Sequence, residues 1–305
     1  MRVGVVDIGT NSTRLLVAAV QDGALAEIDR RSLVTRLGAG VDAAGRLDDD
    51  AQRRVLDAID SFAPALEGCE RRIAVMTSAV RDAENGDAFA STVRDRYGLH
   101  ARTLSGDEEA RLTYLGATVA RDGGYAAELL VVDIGGGSTE LVSGSHGRVG
   151  FHVSTQAGVV RHSERYLHHD PPRPDEMRAL AEDVRAVFAD AVPREVRDRV
   201  DACVAVAGTA TSCGAIDLGL DPYDPARTEG HVVTAARLAA ISATLAALPL
   251  EERRQVAGLH PDRAPTIVAG TILLGEALEA FGLGAFEVSE RDILWGVALD
   301  DALES

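Results

Sequence analysis

Val5-Val6-Asp7-Ile8-Gly9-Thr10-Asn11-Ser12-Thr13-Arg14-Leu15 returns 126 residues later as Val131-Val132-Asp133-Ile134-Gly135-Gly136-Gly137-Ser138-Thr139-Glu140-Leu141. Each copy is an apolar run, an Asp, a turn of Gly and small hydroxyl residues, and a second apolar run. That pattern predicts strand, tight turn, strand. Such a turn suits phosphate, because Gly lets backbone amides approach an anion, Ser and Thr add hydroxyl donors, and a strand-end Asp can hold Mg²⁺ directly or through water. A single Asp-x-Gly turn reads as a plain hairpin. Two copies at domain-sized spacing predict two similar α/β halves whose facing turns form a phosphate clamp.

The chain has 305 residues and is 46% hydrophobic, enough for two ordinary cores. The strand Val3 to Asp7 follows Met1-Arg2 directly and no apolar run approaches membrane-spanning length, so a cytoplasmic protein without signal peptide or membrane contact is expected. Cys69, Cys203 and Cys213 show no paired or zinc-ligand spacing and are expected to be reduced, buried and inert. The net charge of −17 argues against nonspecific nucleic-acid binding and requires a local basic pocket for any polyanion. All 31 basic residues are Arg. Mechanisms that need a lysine, such as a Walker lysine, a Schiff base or a Ser-Lys dyad, are therefore excluded.

After the first hairpin a third strand is predicted over Ala24 to Arg36, then a helix from Asp48-Asp49-Asp50 with Val55, Leu56, Ile59 and Phe62 at helical spacing. A buried strand over Arg72 to Met76, a helix over Ala88 to Tyr97, a strand over Ala101 to Leu104 and a helix from Glu108 to about Ala120 complete the first half. Asp122-Gly123-Gly124 marks the boundary between domains 1–122 and 123–305. The second half repeats the plan with strands over Leu129 to Asp133, Thr139 to Ser143 and Arg148 to Val153. There follow a helix over Pro174 to Val192 and a strand over Asp201 to Ala207 that ends in a third small-residue turn, Gly208-Thr209-Ala210-Thr211. Helices over Thr234 to Leu248, Pro265 to Phe281 and Arg291 to Leu303 close the chain.

Four motifs, in this order, resemble the exopolyphosphatase and guanosine pentaphosphate phosphohydrolase family over essentially the whole chain. They are Asp7-Ile8-Gly9-Thr10-Asn11-Ser12, Thr77-Ser78-Ala79-Val80-Arg81-Asp82-Ala83-Glu84-Asn85, Ser105-Gly106-Asp107-Glu108-Glu109-Ala110-Arg111 and Asp133 to Leu141. The resemblance implies duplicated ribonuclease-H-like domains of the actin, Hsp70 and sugar-kinase superfamily, with the active site in the cleft between them. It implies Glu109 as the general base that deprotonates the attacking water, with Glu108 pointing about 100° away around the helix.

Asp133 and Glu140 are the expected Mg²⁺ carboxylates, with Asp7 as the pseudo-symmetric counterpart of Asp133 or else a turn-stabilising acid. Expected phosphate-binding residues are Asn11, Ser12, Thr13, Arg14, Arg81, Gly135, Gly136, Gly137, Ser138, Gly208 and Thr209, with Arg81 the first choice for a bidentate clamp. His162, His168 and His169 lack a metal-ligand spacing, and Tyr166 and Trp295 are expected to pack.

The resemblance implies hydrolysis of terminal orthophosphate from inorganic polyphosphate. Longer family members carry a helical C-terminal region that this sequence lacks, so short chains are the expected substrate, and a homodimer is possible. The alternatives are a guanosine pentaphosphate 5′-phosphohydrolase, a noncatalytic alarmone or polyphosphate sensor, and a sugar or carboxylate kinase.

Overall fold

Near-continuous apolar runs at Arg2–Ile8 and Glu128–Ile134 become the central strands of two mixed sheets, buried on both faces as strands with parallel neighbours require. The computed structural model describes residues 1–21, 24–119, 128–145 and 148–303. The chain divides into two units, Met1–Gly116 with Asp292–Ser305, and Ala117–Arg291.

The first unit holds β1 (Arg2–Ile8), β2 (Ser12–Gln21), β3 (Ala24–Val34), β4 (Arg71–Met76) and β5 (His100–Thr103) in the order β3-β2-β1-β4-β5. β1 runs antiparallel to β2 and parallel to β4. The exposed edge strand β3 carries Glu27, Asp29, Arg30 and Arg31, charges that discourage pairing with another chain. The helix Asp49–Leu66 begins at an Asp48 cap that accepts from the amides of Asp50 and Ala51, and it buries Val55, Ile59 and Phe62.

The second unit holds β6 (Glu128–Ile134), β7 (Thr139–Ser145), β8 (Arg148–Thr155), β9 (Val200–Val206), β10 (Val232–Thr234) and β11 (Ala285–Val288) in the order β10-β11-β9-β6-β7-β8. Read from its other edge, β8-β7-β6-β9-β11 repeats the strand order of the first unit. The duplication expected from the repeated phrase is therefore present in the topology. The helix Pro174–Ala191 starts on its proline and buries Leu180, Val184 and Phe188 at four-residue spacing.

The structure departs from the sequence expectations in several places, among them the unpredicted strands β10 and β11. Asp292–Ser305 belongs to the first unit rather than to a domain over 123–305, because Ile293, Leu294, Trp295, Val297 and Ala298 of the helix Ile293–Leu303 join a core with Val3, Val5, Leu16 and Leu112. The expected boundary at Asp122-Gly123-Gly124 lies outside the described residues. Gly208 to Thr211 is not a turn but the first part of a helix, Ala207–Leu218, whose run of small buried residues lacks an amphipathic signature. The helix Val159–Tyr166 was also not anticipated. The three cysteines are free and buried, and burial pushes the Cys213 thiol up to about 12. No helix among the described residues is long and apolar enough to cross a membrane.

Candidate active site

In the first unit the β1–β2 turn is closed by the Gly9 amide donating to the Ser12 carbonyl at 3.0 Å. The amides of Thr10 and Asn11 take no acceptor among the described residues, which leaves two adjacent donors in a tight turn, the makings of an anion nest. Antiparallel register sets Asp7 directly opposite Arg14. Arg14 Nε and Nη2 both donate to Asp7 Oδ2, at 2.9 and 2.6 Å, and Nη1 donates to Asp292 Oδ2. Burial raises the Asp7 pKa above its ordinary value, opposed by Arg14. Asp7 Oδ1 is buried without a hydrogen-bond partner. Strand alternation places Thr13 on the opposite face, fully buried with its hydroxyl 2.9 Å from that of Thr35, so it does not join Ser12 and Arg14.

Two more of the sequence candidates meet in this unit. Arg81, on the short helix Ser78–Asp82 after β4, donates from Nη1 to Glu109 Oε2 at 3.0 Å and to the Leu104 carbonyl at 2.9 Å. Glu109 is 6% exposed and lies in the first turn of the helix Gly106–Thr118. Its neighbour Glu108 is engaged differently. Glu108 Oε2 accepts from the Ser105 amide and hydroxyl while the Glu108 amide donates to Ser105 Oγ, a capping box, and Oε1 accepts from Arg102. The Ser105 amide holds the Glu108 pKa below its ordinary value.

The second unit repeats the turn with different charges. The Gly135 amide donates to the Ser138 carbonyl at 2.9 Å, and the amides of Gly136 and Gly137 again take no acceptor among the described residues. The loop carbonyls point the other way. Those of Gly135 and Gly136 accept from the amides of Val159 and Val160 at the start of the helix Val159–Tyr166, and Gly137 O accepts from Arg161 Nε at 2.9 Å. This close seating depends on Gly158, where a Cβ would lie 2.4 Å from Gly136 O. Asp133 stands directly opposite Glu140, the position that Arg14 fills in the first unit. Both carboxylates are buried, and Glu140 Oε1 accepts from Ser154 Oγ at 2.7 Å.

Gly208 and Thr209 lie in the first turn of the helix Ala207–Leu218, whose first residue, Ala207, follows β9 directly and is held at φ 61°. A Cβ on Gly208 would fall 1.4 Å from Arg263 Nη1, so the glycine lets a guanidinium lie against the helix start. Sequence reasoning missed Asp292, Gly158, Arg161 and Arg263. Asp292 carried a usable signal, being an Asp just before an apolar helical run, and its Oδ1 accepts the Leu294 amide. His169 is exposed and bonded to Glu176, in keeping with a surface loop, whereas His162 is buried.

A divalent cation fits this donor chemistry. In the second unit two buried carboxylates, Asp133 and Glu140, stand directly opposite each other on neighbouring strands, an arrangement whose mutual repulsion a cation relieves. Among the described residues no three metal-type side chains gather. Mg²⁺ commonly uses one or two carboxylates, with water and substrate phosphate completing the shell.

The model of the Ppx/GppA phosphatase family matches residues 16–305. Exopolyphosphatase 2 of Mycobacterium tuberculosis is 37% identical, the alignment covering 98% of each chain. The crystal structure of the Ppx/GppA family member of Aquifex aeolicus is 31% identical with a TM-score of 0.83, covering 100% of this chain and 98% of that one. An exopolyphosphatase structure from Cytophaga hutchinsonii, 23% identical with a TM-score of 0.87 and covering 99% and 98%, shares the fold.

Proposed function

The chain belongs to the Ppx/GppA phosphatase family and is a hydrolase, and on that premise we propose that it removes terminal orthophosphate from inorganic polyphosphate, short chains above all. The observation that carries this reading is the convergence of Arg81 on Glu109 at 3.0 Å, a phosphate-type cation beside a buried carboxylate at a helix start. Hydrolysis of a terminal phosphoanhydride needs an in-line water, a group to take its proton, and donors for the oxygens that gather charge.

In this reading Glu109 accepts a proton from the attacking water as its oxygen bonds to the terminal phosphorus. The bond from phosphorus to the bridging oxygen then breaks, and the shortened chain leaves with the electron pair. Arg81 holds Glu109 at a fixed angle and offers its guanidinium to a phosphate oxygen. The amides of Thr10, Asn11, Gly136 and Gly137, with the Ser12 and Ser138 hydroxyls, bind phosphate oxygens, and Arg14 sets the charge of the first turn. Asp133 and Glu140 would hold Mg²⁺, which supplies positive charge to phosphate oxygens when bound. Gly208 and Thr209 offer helix N-terminal amides to a further phosphate.

Parallel phosphate-release assays with tripolyphosphate, longer polyphosphates and guanosine pentaphosphate test the proposal. Turnover of polyphosphate that falls with chain length is the expected result. Preferential turnover of guanosine pentaphosphate would overturn the substrate reading, and binding without release would overturn catalysis.

A further inference from the structure

We propose that His162 is a positioning residue that holds the glycine loop Gly135–Gly137 in its anion-binding form; the inference rests on the loop binding phosphate, as proposed above. His162 is 1% exposed and lies on the helix Val159–Tyr166. Its Nδ1 sits 3.1 Å from the carbonyl oxygen of Gly158, the residue that caps this helix, and its Nε2 sits 3.2 Å from Asp183 Oδ2 on the helix Pro174–Ala191. A buried ring thus ties one helix to the cap of the other. The cap in turn lies against the loop, since a Cβ on Gly158 would meet both Gly136 O and Gly137 C at 2.4 Å.

The link continues into the loop itself. The amides that follow Gly158 hold the carbonyls of Gly135 and Gly136, and a peptide whose carbonyl is held on one side presents the next amide on the other. Gly136 and Gly137, the residues with amides left for an anion, are the ones whose peptides this helix start fixes. A glycine loop is otherwise free to rotate these peptides, because it lacks the Cβ atoms that restrict backbone angles. Asp183, His162 and Gly158 therefore supply from outside the rigidity that the loop sequence lacks.

Both partners of the ring are oxygen acceptors, so each bond needs a proton on its own nitrogen. Burial lowers the His162 pKa, while the Gly158 carbonyl and Asp183 favour the doubly protonated ring and Arg165 opposes it. Tyr166 packs beside the ring with centroids 5.8 Å apart and also faces Asp183. Two amide side chains separate the two ends of the tie. Asn places its NH₂ near the Nδ1 position, and Gln places its NH₂ near the Nε2 position.

The test measures kcat and KM with tripolyphosphate, together with hydrogen exchange of peptides spanning Asp133 to Glu140, for His162→Leu, His162→Asn, His162→Gln and Asp183→Ala. His162→Leu should raise KM about tenfold with a smaller change in kcat and speed exchange in the loop, the size of effect typical when a supporting partner is lost. His162→Asn should recover most of the KM, and His162→Gln should not. Asp183 is a third exposed, so Asp183→Ala should fold, and a faster-exchanging loop is expected there even if the leucine variant fails to fold. Wild-type KM and loop exchange in a folded leucine variant, or no gain from Asn over Leu, would overturn the proposal. If the wild type releases no phosphate from tripolyphosphate, the functional reading fails, and the exchange arm still decides the tie.

Discussion

Glu108 and Glu109 are neighbours in sequence with separate tasks. Glu108 caps its helix through Ser105, and Gln can take the same place in a capping box, so Glu108→Gln should change turnover little. Glu109 is buried and held by Arg81. Glu109→Gln keeps the shape but removes the proposed proton acceptor, and phosphate release at saturating polyphosphate and Mg²⁺ should fall by roughly 10²–10⁴-fold. Equal losses in the two variants would sink the assignment. Arg81→Ala should remove a charge-assisted partner worth about 1.5–3 kcal/mol from phosphate binding and also release Glu109, so KM should rise and kcat fall together. Arg81→Lys should restore binding only in part, because the ammonium lacks the guanidinium fork. Unchanged steady-state constants in the alanine variant would show that Arg81 lies outside the site.

The helix that carries Glu109 is positioned by the end of the chain. A Cβ on Gly116 would lie 1.9 Å from the Asp292 carbonyl oxygen, and one on Gly296 would lie 1.8 Å from that of Leu112. The helices Gly106–Thr118 and Ile293–Leu303 therefore cross through a pair of glycines. Gly116→Ala and Gly296→Ala should each destabilise by at least the roughly 1–3 kcal/mol of ordinary overpacking, since backbone rather than a mobile side chain is in the way. Denaturant midpoints would measure it, and values equal to wild type would refute the crossing.

Arg111 adds a bidentate bond to Asp300, at 2.9 and 2.8 Å, that joins the same two helices. Arg111 holds the Asp300 pKa below its ordinary value, against burial, which raises it. A depressed pKa stabilises the fold above the unfolded value near 3.8, and that contribution is lost as pH falls through the folded value. Asp300→Asn should thus lower the thermal midpoint at pH 7, with the deficit vanishing in acid. A deficit that persists there would refute the linkage.

These long-range features set the limit of what sequence could show. The repeated turns were legible because each is a local signal, as was the acidic start of the helix Asp49–Leu66, whose Asp48 cap lies beside the apolar residues that follow. The candidate site residues Asn11, Ser12 and Glu109 were reached from their own motifs. Arg161 and Arg263 were not, because an exposed-looking arginine in an unremarkable helix or loop acquires its role only when folding brings it to Gly137 or Gly208. The helix Ala207–Leu218 was hidden by its small residues, which are buried around much of its surface and leave no polar face to mark the period. The terminal helix was found but assigned to the wrong unit, since an apolar run carries no label for the core it joins.

Duplication gave the molecule two copies of one backbone device and let their charges diverge. At the position opposite the strand-end Asp, the first unit has Arg14 and the second has Glu140. Arg14 also reaches Asp292, so one guanidinium serves two carboxylates that are 3% and 1% exposed. Removing a cation from such a buried cluster typically costs about 3–5 kcal/mol, because the carboxylates remain. Arg14→Gln should accordingly lower the thermal midpoint whether or not Mg²⁺ is present. In the second unit the corresponding change has the opposite sign. Glu140→Gln removes one of two directly opposed carboxylates, so metal-free protein should be as stable as wild type or more so, while the stabilisation gained on adding Mg²⁺ should shrink. Thermal midpoints of wild type and both variants, each with chelator and with Mg²⁺, test the pair of signs together. Equal responses of the two variants to Mg²⁺ would show that the halves have not divided the charges between structure and metal, and Asp133 with Glu140 would lose its claim as the cation site.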